Sequence, residues 1–258
     1  MISGILLDLS GVLYVGDQPL EGTIDSLIRL KKTGIPIRYV TNTTRKPAAA
    51  IIRQLVNMGF SVNQEELFTA PMAAHSYLQS HRLSPYMLIH KNLREEFTDL
   101  ACKPHNAVLI GDAEDDFTYR NMNSAFRLLI DGAPLIAMGK NRYFRESDGL
   151  SIDAGAFVEA LEYSTGAKAI ITGKPDQEFF MAAVDSMKTR PEETLMIGDD
   201  VDADVDGALN AGLQGILVQT GKYQQGDEER LINDTAITLT DFNTATEWII
   251  SHIADSNR

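Results

Sequence analysis

The apolar positions of this chain fall into short, β-branched runs, and each run is followed by a stretch whose apolar residues recur at helical spacing. Ile5 to Leu7 is the first run; Asp8 closes it, with Ser10 and Gly11 just beyond. A short apolar run bounded by turn residues predicts a buried strand, here with a carboxylate at its carboxyl end. Gly22 to Lys32 then carries Ile24, Leu27 and Ile28 at helical spacing, and Gly34 ends it. Ile35 to Val40 predicts a second strand, ending in Thr41-Asn42-Thr43-Thr44. A helix from about Pro47 places Ile51, Ile52, Leu55 and Val56 on one face and stops at Gly59. The order β-α-β-α predicts parallel strands joined by right-handed crossovers.

The pattern restarts near residue 79. Strands are expected over Tyr86 to His90, Ala107 to Ile110 and Leu135 to Met138. Helices are expected over Leu93 to Phe97, Tyr119 to Leu129 and Gly155 to Tyr163, while Lys140 to Asp153 reads as loop with at most one short strand. This block either continues the first sheet or forms a separate α/β insert. Ala169 to Thr172 predicts a further strand, followed by Gly173-Lys174-Pro175. Pro175 suits the first turn of a helix carrying Phe179, Phe180, Ala183, Val184 and Met187. Leu195 to Ile197 predicts a strand ending in Gly198-Asp199-Asp200, and Ala208 to Ala211 a helix stopped by Gly212. Gly215 to Val218 and Ala236 to Leu239 complete the strands, before a helix containing Trp248.

Composition narrows the function classes. A 44% hydrophobic chain with 23% charged residues has enough apolar mass for a real core. A formal net charge of −13 argues against nucleic acid and anionic membranes as partners. Cys102 is the only cysteine, so no intramolecular disulfide forms. No stretch approaches the ~20 apolar residues of a membrane span. Met1 to Leu7 lacks the basic and apolar regions of a signal peptide, so a cytoplasmic location is expected.

Four predicted strands end in polar groups: Asp8, Thr41, Lys174 just past its strand, and Asp199. Carboxyl ends of parallel strands share one sheet edge, where ligands of open α/β sheets bind. Asp8 and Asp199, with Asp200 and Asp204 close by, are hard oxygen donors that suit Mg²⁺. Lys174 adds a point charge, and Thr41 and Asn42 add neutral donors. Together they describe a site for a phosphoryl group. Each piece alone has an ordinary reading: a helix N-cap for Thr41-Asn42, a helix-start lysine for Lys174, a solvated loop for Asp199 to Asp206. Leu109-Ile110-Gly111-Asp112, with Asp115 and Asp116, imitates the Gly198-Asp199 stretch within the middle block. It reads as a loop of the insert that shapes substrate choice, or as plain surface.

The set Asp8-Leu9-Ser10-Gly11-Val12-Leu13, Thr41-Asn42, Gly173-Lys174-Pro175 and Gly198-Asp199-Asp200 with Asp204 resembles the four motifs of the haloacid dehalogenase (HAD) superfamily. The gap of about 130 residues between Thr41 and Lys174 resembles its class IIA, the 4-nitrophenylphosphatase-like members with a large α/β cap there. Within that class the chain looks most like the phospholysine phosphohistidine inorganic pyrophosphate phosphatase branch and its haloacid dehalogenase-like hydrolase relative. The resemblance implies an α/β fold with a Rossmann-like parallel-sheet core, residues 1–78 plus 169–258, and an inserted α/β cap, residues 79–168. It also implies roles. Asp8 would be the nucleophile and form an aspartyl-phosphate. Asp8, the Ser10 carbonyl and Asp199 would hold Mg²⁺, supported by Asp200 and Asp204. Thr41, Asn42 and Lys174 would grip the phosphoryl group, and Lys174 would also neutralise Asp8. The substrate would be a small phosphorylated molecule or a phosphorylated side chain. Caps of this size often pair in such families, so a homodimer is compatible with the resemblance.

One position departs from the family pattern. Most HAD phosphatases carry an aspartic acid two residues after the nucleophile, as general acid and base; this chain has Ser10. A hydroxyl is too weak an acid to protonate a leaving group near neutral pH. Ser10 therefore predicts a preference for good leaving groups: pyrophosphate, phosphoramidates such as phospholysine and phosphohistidine, and aryl phosphates. Two alternatives remain open: a phosphate-ligand-binding regulator with little turnover, and a phosphotransferase to an acceptor other than water.

Overall fold

In the computed structural model, which describes residues 2–146, 149–232 and 235–256, the apolar runs form two parallel sheets. The larger has six strands in the order Ile237–Leu239, Gln214–Val218, Thr194–Gly198, Gly4–Asp8, Ile37–Thr41, Leu67–Thr69. Every residue of Gly4–Asp8 and of Thr194–Gly198 is buried, as expected of central strands covered on both faces. That double burial is why they read as unbroken apolar runs.

Gly4–Asp8 lies between Ile37–Thr41 and Thr194–Gly198, pairing in parallel with both. In register, Leu7 faces Ile197 and Asp8 faces Val40. Asp8, Thr41 and Asp199 therefore emerge within about one residue of the same level on three adjacent strands. Ile5 and Leu7 join Leu27, Leu30, Ile37, Tyr39, Ile197, Phe242 and Ile249 in one cluster. On the sheet's other side the helix Gln177–Met187 buries Phe179, Phe180, Ala183 and Val184. Its start is set by Asp176, whose carboxylate accepts from the Glu178 N–H at 2.9 Å. Pro175 thus precedes the cap instead of lying in the first turn, because the side-chain cap falls one residue later.

Contacts divide the chain into two units. The first contains Met1–Thr41, Ala48–Phe68 and Lys174–Arg258; the second contains Asn42–Pro47 and Thr69–Gly173. The second unit has its own parallel sheet, in the order Ala169–Ile171, Leu135–Ala137, Ala107–Ile110, Pro85–Leu88. Ala169–Ile171 falls in this sheet and not in the core, because it pairs with Leu135–Ala137. The helix Ala70–Ser80, not expected from the spacing of apolar residues, belongs here as well: Ala70, Ala74 and Leu78 pack on Leu93, Phe97, Ile136 and Met138. The stretch after Lys140, expected as loop with at most one short strand, contains two antiparallel strands, Tyr143–Glu146 and Gly149–Ile152. Among the described residues, no helix is long and apolar enough to cross a membrane.

Candidate active site

Asp8 ends the central strand, buried at 7% exposure. The chain then reverses through Gly11, at φ +91°, whose N–H donates to the Tyr14 carbonyl at 2.7 Å. Ser10, one residue earlier, is exposed. Lys174 is 3% exposed and reaches Asp8 directly: Nζ lies 2.5 Å from Asp8 Oδ1 and 2.6 Å from Asp204 Oδ1. One ammonium is therefore shared between two buried carboxylates.

Asp204 arrives from an unexpected element. Val201–Asp206 forms a π-helical turn, with the Val205 N–H donating to the Asp200 carbonyl at 3.2 Å. Such wide turns are rare and concentrate at functional sites. Asp200 caps this turn by accepting from the Ala203 N–H at 2.9 Å, and its other oxygen pairs with Lys222 Nζ at 3.0 Å. Asp204 Oδ2 accepts from the Asp200 N–H at 3.3 Å. The turn fits only because residue 198 is glycine: a Cβ there would stand 2.3 Å from the Asp204 Cβ.

Asp199 is seated differently. Its Oδ2 accepts from the Lys222 N–H at 2.7 Å. Gly11 and Gly221 flank it, and a Cβ on either would lie about 2 Å from Oδ2 (1.9 and 2.0 Å). The Thr220 hydroxyl ties this loop back by donating to the Gly11 carbonyl at 2.5 Å. The cradle of Gly221 and Lys222 had no role assigned from the sequence. Its only local signal is glycine in Thr220-Gly221-Lys222, more than 200 residues from Gly11.

Three buried carboxylates, Asp8, Asp199 and Asp204, place oxygens within 4.8 Å of one another. Lys174 is the one buried cation against them among the described residues, so the cluster carries excess negative charge. Burial pushes Asp199 up to about 8, and the Asp8 and Asp204 charges add to it. Burial also raises Asp204, to about 6, against the pull of Lys174. Burial alone would lower Lys174, but Asp204 and Asp8 outweigh it and hold its pKa above the ordinary lysine range. An acidic oxygen cluster short of positive charge fits a small hard divalent cation. The donors that suit it are Asp199 and the Asp8 oxygen turned away from Lys174; Asp204 gives one oxygen to Lys174 and the other to the Asp200 N–H.

Thr41 ends its strand at 8% exposure. Asn42, the next residue, begins the second unit's short segment. Gly173 approaches it closely: a Cβ there would lie 2.8 Å from Asn42 Oδ1 and 2.3 Å from the Met138 carbonyl. Gly173 thus has a steric reason within Gly-Lys-Pro. In the stretch that imitates Gly198-Asp199, Asp112 is 6% exposed and accepts from Arg45, so this carboxylate is no surface group.

The chain is similar to known proteins along most of its length. A family model described as haloacid dehalogenase-like hydrolase matches residues 5–103, and one described as HAD-hydrolase-like matches residues 171–245. Haloacid dehalogenase-like hydrolase domain-containing protein 2 of Mus musculus is 41% identical over 98% of this chain and 97% of its own. The phospholysine phosphohistidine inorganic pyrophosphate phosphatase of Xenopus laevis is 42% identical over 88% of this chain and 87% of its own. The 4-nitrophenylphosphatase of Thermotoga maritima superposes with a TM-score of 0.88 at 26% identity, covering 95% of this chain and 97% of that one. The chain belongs to the haloacid dehalogenase-like hydrolase family, in the class that holds the 4-nitrophenylphosphatases.

Proposed function

We propose that this hydrolase is a Mg²⁺-dependent phosphatase that forms an aspartyl-phosphate on Asp8 and favours substrates with good leaving groups. The observation that carries this reading is the buried group of Asp8, Lys174, Asp204 and Asp199 at one sheet edge. A general anion-binding site would not bury a carboxylate beside the lysine that grips the anion. A nucleophile needs that placement, because Lys174 can offset the charge of Asp8 as a dianionic phosphoryl group approaches. The relatives' names support a phosphatase: one is a phospholysine phosphohistidine inorganic pyrophosphate phosphatase, another a 4-nitrophenylphosphatase.

In this reading a carboxylate oxygen of Asp8 attacks phosphorus. The bond from phosphorus to the leaving group breaks, and the leaving group departs with the electron pair. Water then attacks phosphorus, the bond to Asp8 breaks, and inorganic phosphate leaves with the carboxylate restored. Thr41, Asn42 and Lys174 hold phosphoryl oxygens through both steps. Mg²⁺, held by Asp8, Asp199 and the Ser10 carbonyl, would supply positive charge against the transferring group. Asp200 and Asp204 support this arrangement through Lys222 and Lys174. The resemblance to capped phosphatases gives the second unit the role of a cap domain.

The test is phosphate release by the purified chain, with and without Mg²⁺. Pyrophosphate, phosphoramidates and an aryl phosphate should turn over with Mg²⁺, and alkyl and sugar phosphates poorly. Metal-dependent phosphate binding with no turnover on any compound would favour a phosphate-sensing regulator instead.

A further inference from the structure

The second unit contains a charged cluster that this chemistry does not use. Arg45 lies in Asn42–Pro47, the segment that continues directly from Thr41 but packs with residues 69–173. Its Nε donates to Asp112 Oδ2 at 2.5 Å, and its Nη1 lies 3.5 Å from Glu114 Oε1. The guanidinium lies over the Phe144 ring, 4.5 Å from its centroid. The Asp112 N–H donates to Thr44 Oγ1 at 3.2 Å, and Asn92 Nδ2 donates to the Arg45 carbonyl at 3.4 Å. Glu114 is held in turn by His90 Nε2 at 3.1 Å, and its backbone is left-handed at φ +48°. Three separate stretches of the second unit converge on two residues of one short loop.

A pair with one side this buried is weak evidence for stability, because desolvation offsets the attraction. Its contribution is geometric. A planar guanidinium can bridge two carboxylates while lying flat on a ring, and it thereby fixes the backbone that carries it. Thr44 and Arg45 are two and three residues beyond Asn42, and each residue spans at most ~3.6 Å. So short a tether passes any displacement of Arg45 back to Asn42 and Thr41.

We propose that Arg45, held by Asp112 and Glu114, is a positioning residue for Thr41 and Asn42. It sets the loop so that these two groups meet the phosphoryl oxygens in one arrangement. The proposal rests on the phosphatase reading for the role of Thr41 and Asn42, and adds a determinant of their geometry.

Thr41 and Asn42 touch phosphoryl oxygens before and during transfer, so loosening them weakens binding throughout and raises KM more than it lowers kcat. Arg45→Met and Asp112→Asn should each raise KM for 4-nitrophenyl phosphate about tenfold, with kcat changed less than about threefold. Inorganic phosphate should bind more weakly by the same factor in calorimetry with Mg²⁺ present. The double variant should be no worse than either single one. Arg45→Lys keeps the charge without the fork and should recover only part. Asp112→Asn preserves the side chain's shape, which guards against an unfolded Arg45→Met. Unchanged KM and phosphate affinity would overturn the proposal, whatever happens to the melting temperature. If the wild type releases no phosphate from any compound, the phosphatase reading fails and the phosphate titration alone decides. Tighter binding by wild type than by Arg45→Met upholds the positioning role, and equal binding or none overturns it.

Discussion

Asp8 and Ser10 are two residues apart and set different properties of the proposed reaction. Asp8 supplies the nucleophile, while the hydroxyl of Ser10 is too weak an acid to protonate a leaving group at neutral pH. General acid–base assistance is worth about 10²–10⁴-fold. An alkoxide leaving group needs that assistance; a phosphate, an amine that carries its own proton, or a phenolate needs much less. Ser10→Asp should therefore raise hydrolysis of alkyl phosphates by about 10²-fold or more, and change pyrophosphate hydrolysis far less. Steady-state rates on one alkyl and one pyrophosphate substrate check this. Equal effects on both would show that position 10 does not act on the leaving group. This contrast was legible in the sequence, because it depends on which residue stands two places after Asp8.

At the scale of elements, the site depends on loops that hold carboxylates in place. Gly221, at φ +63°, closes the cradle around Asp199. A Cβ there would lie 2.0 Å from Asp199 Oδ2 and 2.4 Å from the Gly11 Cα. Left-handed backbone alone costs an alanine about 1–2 kcal/mol, and the contact must also move Asp199 or the loop. Displacements near 1 Å at a reacting centre cost about 10²-fold in rate. Gly221→Ala should therefore lose activity by about that factor and need more Mg²⁺ for half-maximal rate. A Mg²⁺ titration of the rate reads both effects; a wild-type profile would show that the cradle is not needed. The strands leading to Asp8, Thr41 and Asp199 were readable because they are interior and mostly apolar, with Arg38 and Thr194 the exceptions. The turn Val201–Asp206 was not, because half of its buried residues are acids, Asp204 and Asp206, and buried acids look like a solvated loop. Ala70–Ser80 escaped for a related reason: its buried face is Ala70, Pro71, Ala74 and Leu78, which gives little helical contrast. Leu67–Thr69 and the pair Tyr143–Glu146 and Gly149–Ile152 are too short to show a period. The Asp199 cradle joins Gly11 to Gly221, and local sequence cannot show a contact over that separation.

At the scale of the whole molecule, the unbalanced carboxylates couple stability to pH. Asp199 rises from the ordinary 3.8 to about 8 on folding and Asp204 to about 6, both with burial as the largest cause. The folded state then binds more protons than the unfolded one between about pH 4 and pH 8. Their contribution is full below pH 4 and is lost as pH rises through 8. Acids whose pKa is lowered, such as Asp200, act at more acid pH and do not oppose this window. Without divalent metal, Tm should fall as pH rises from about 5 to 8, by about 2–4 °C for each kcal/mol lost. Mg²⁺ should reverse the fall, most strongly at the high end, and Asp199→Asn should remove the part of the slope above about pH 6, leaving the part due to Asp204, and weaken the Mg²⁺ effect. Melting curves with Mg²⁺ or a chelator decide it, and a Tm independent of pH in metal-free buffer would count against it. Covalent transfer to Asp8 would leave a phosphoryl group that mass spectrometry detects on protein quenched in acid during turnover of 4-nitrophenyl phosphate with Mg²⁺. One phosphoryl group on the peptide that contains Asp8, absent in Asp8→Asn, is the predicted result; continued turnover by Asp8→Asn, or phosphate found on another residue, would contradict it.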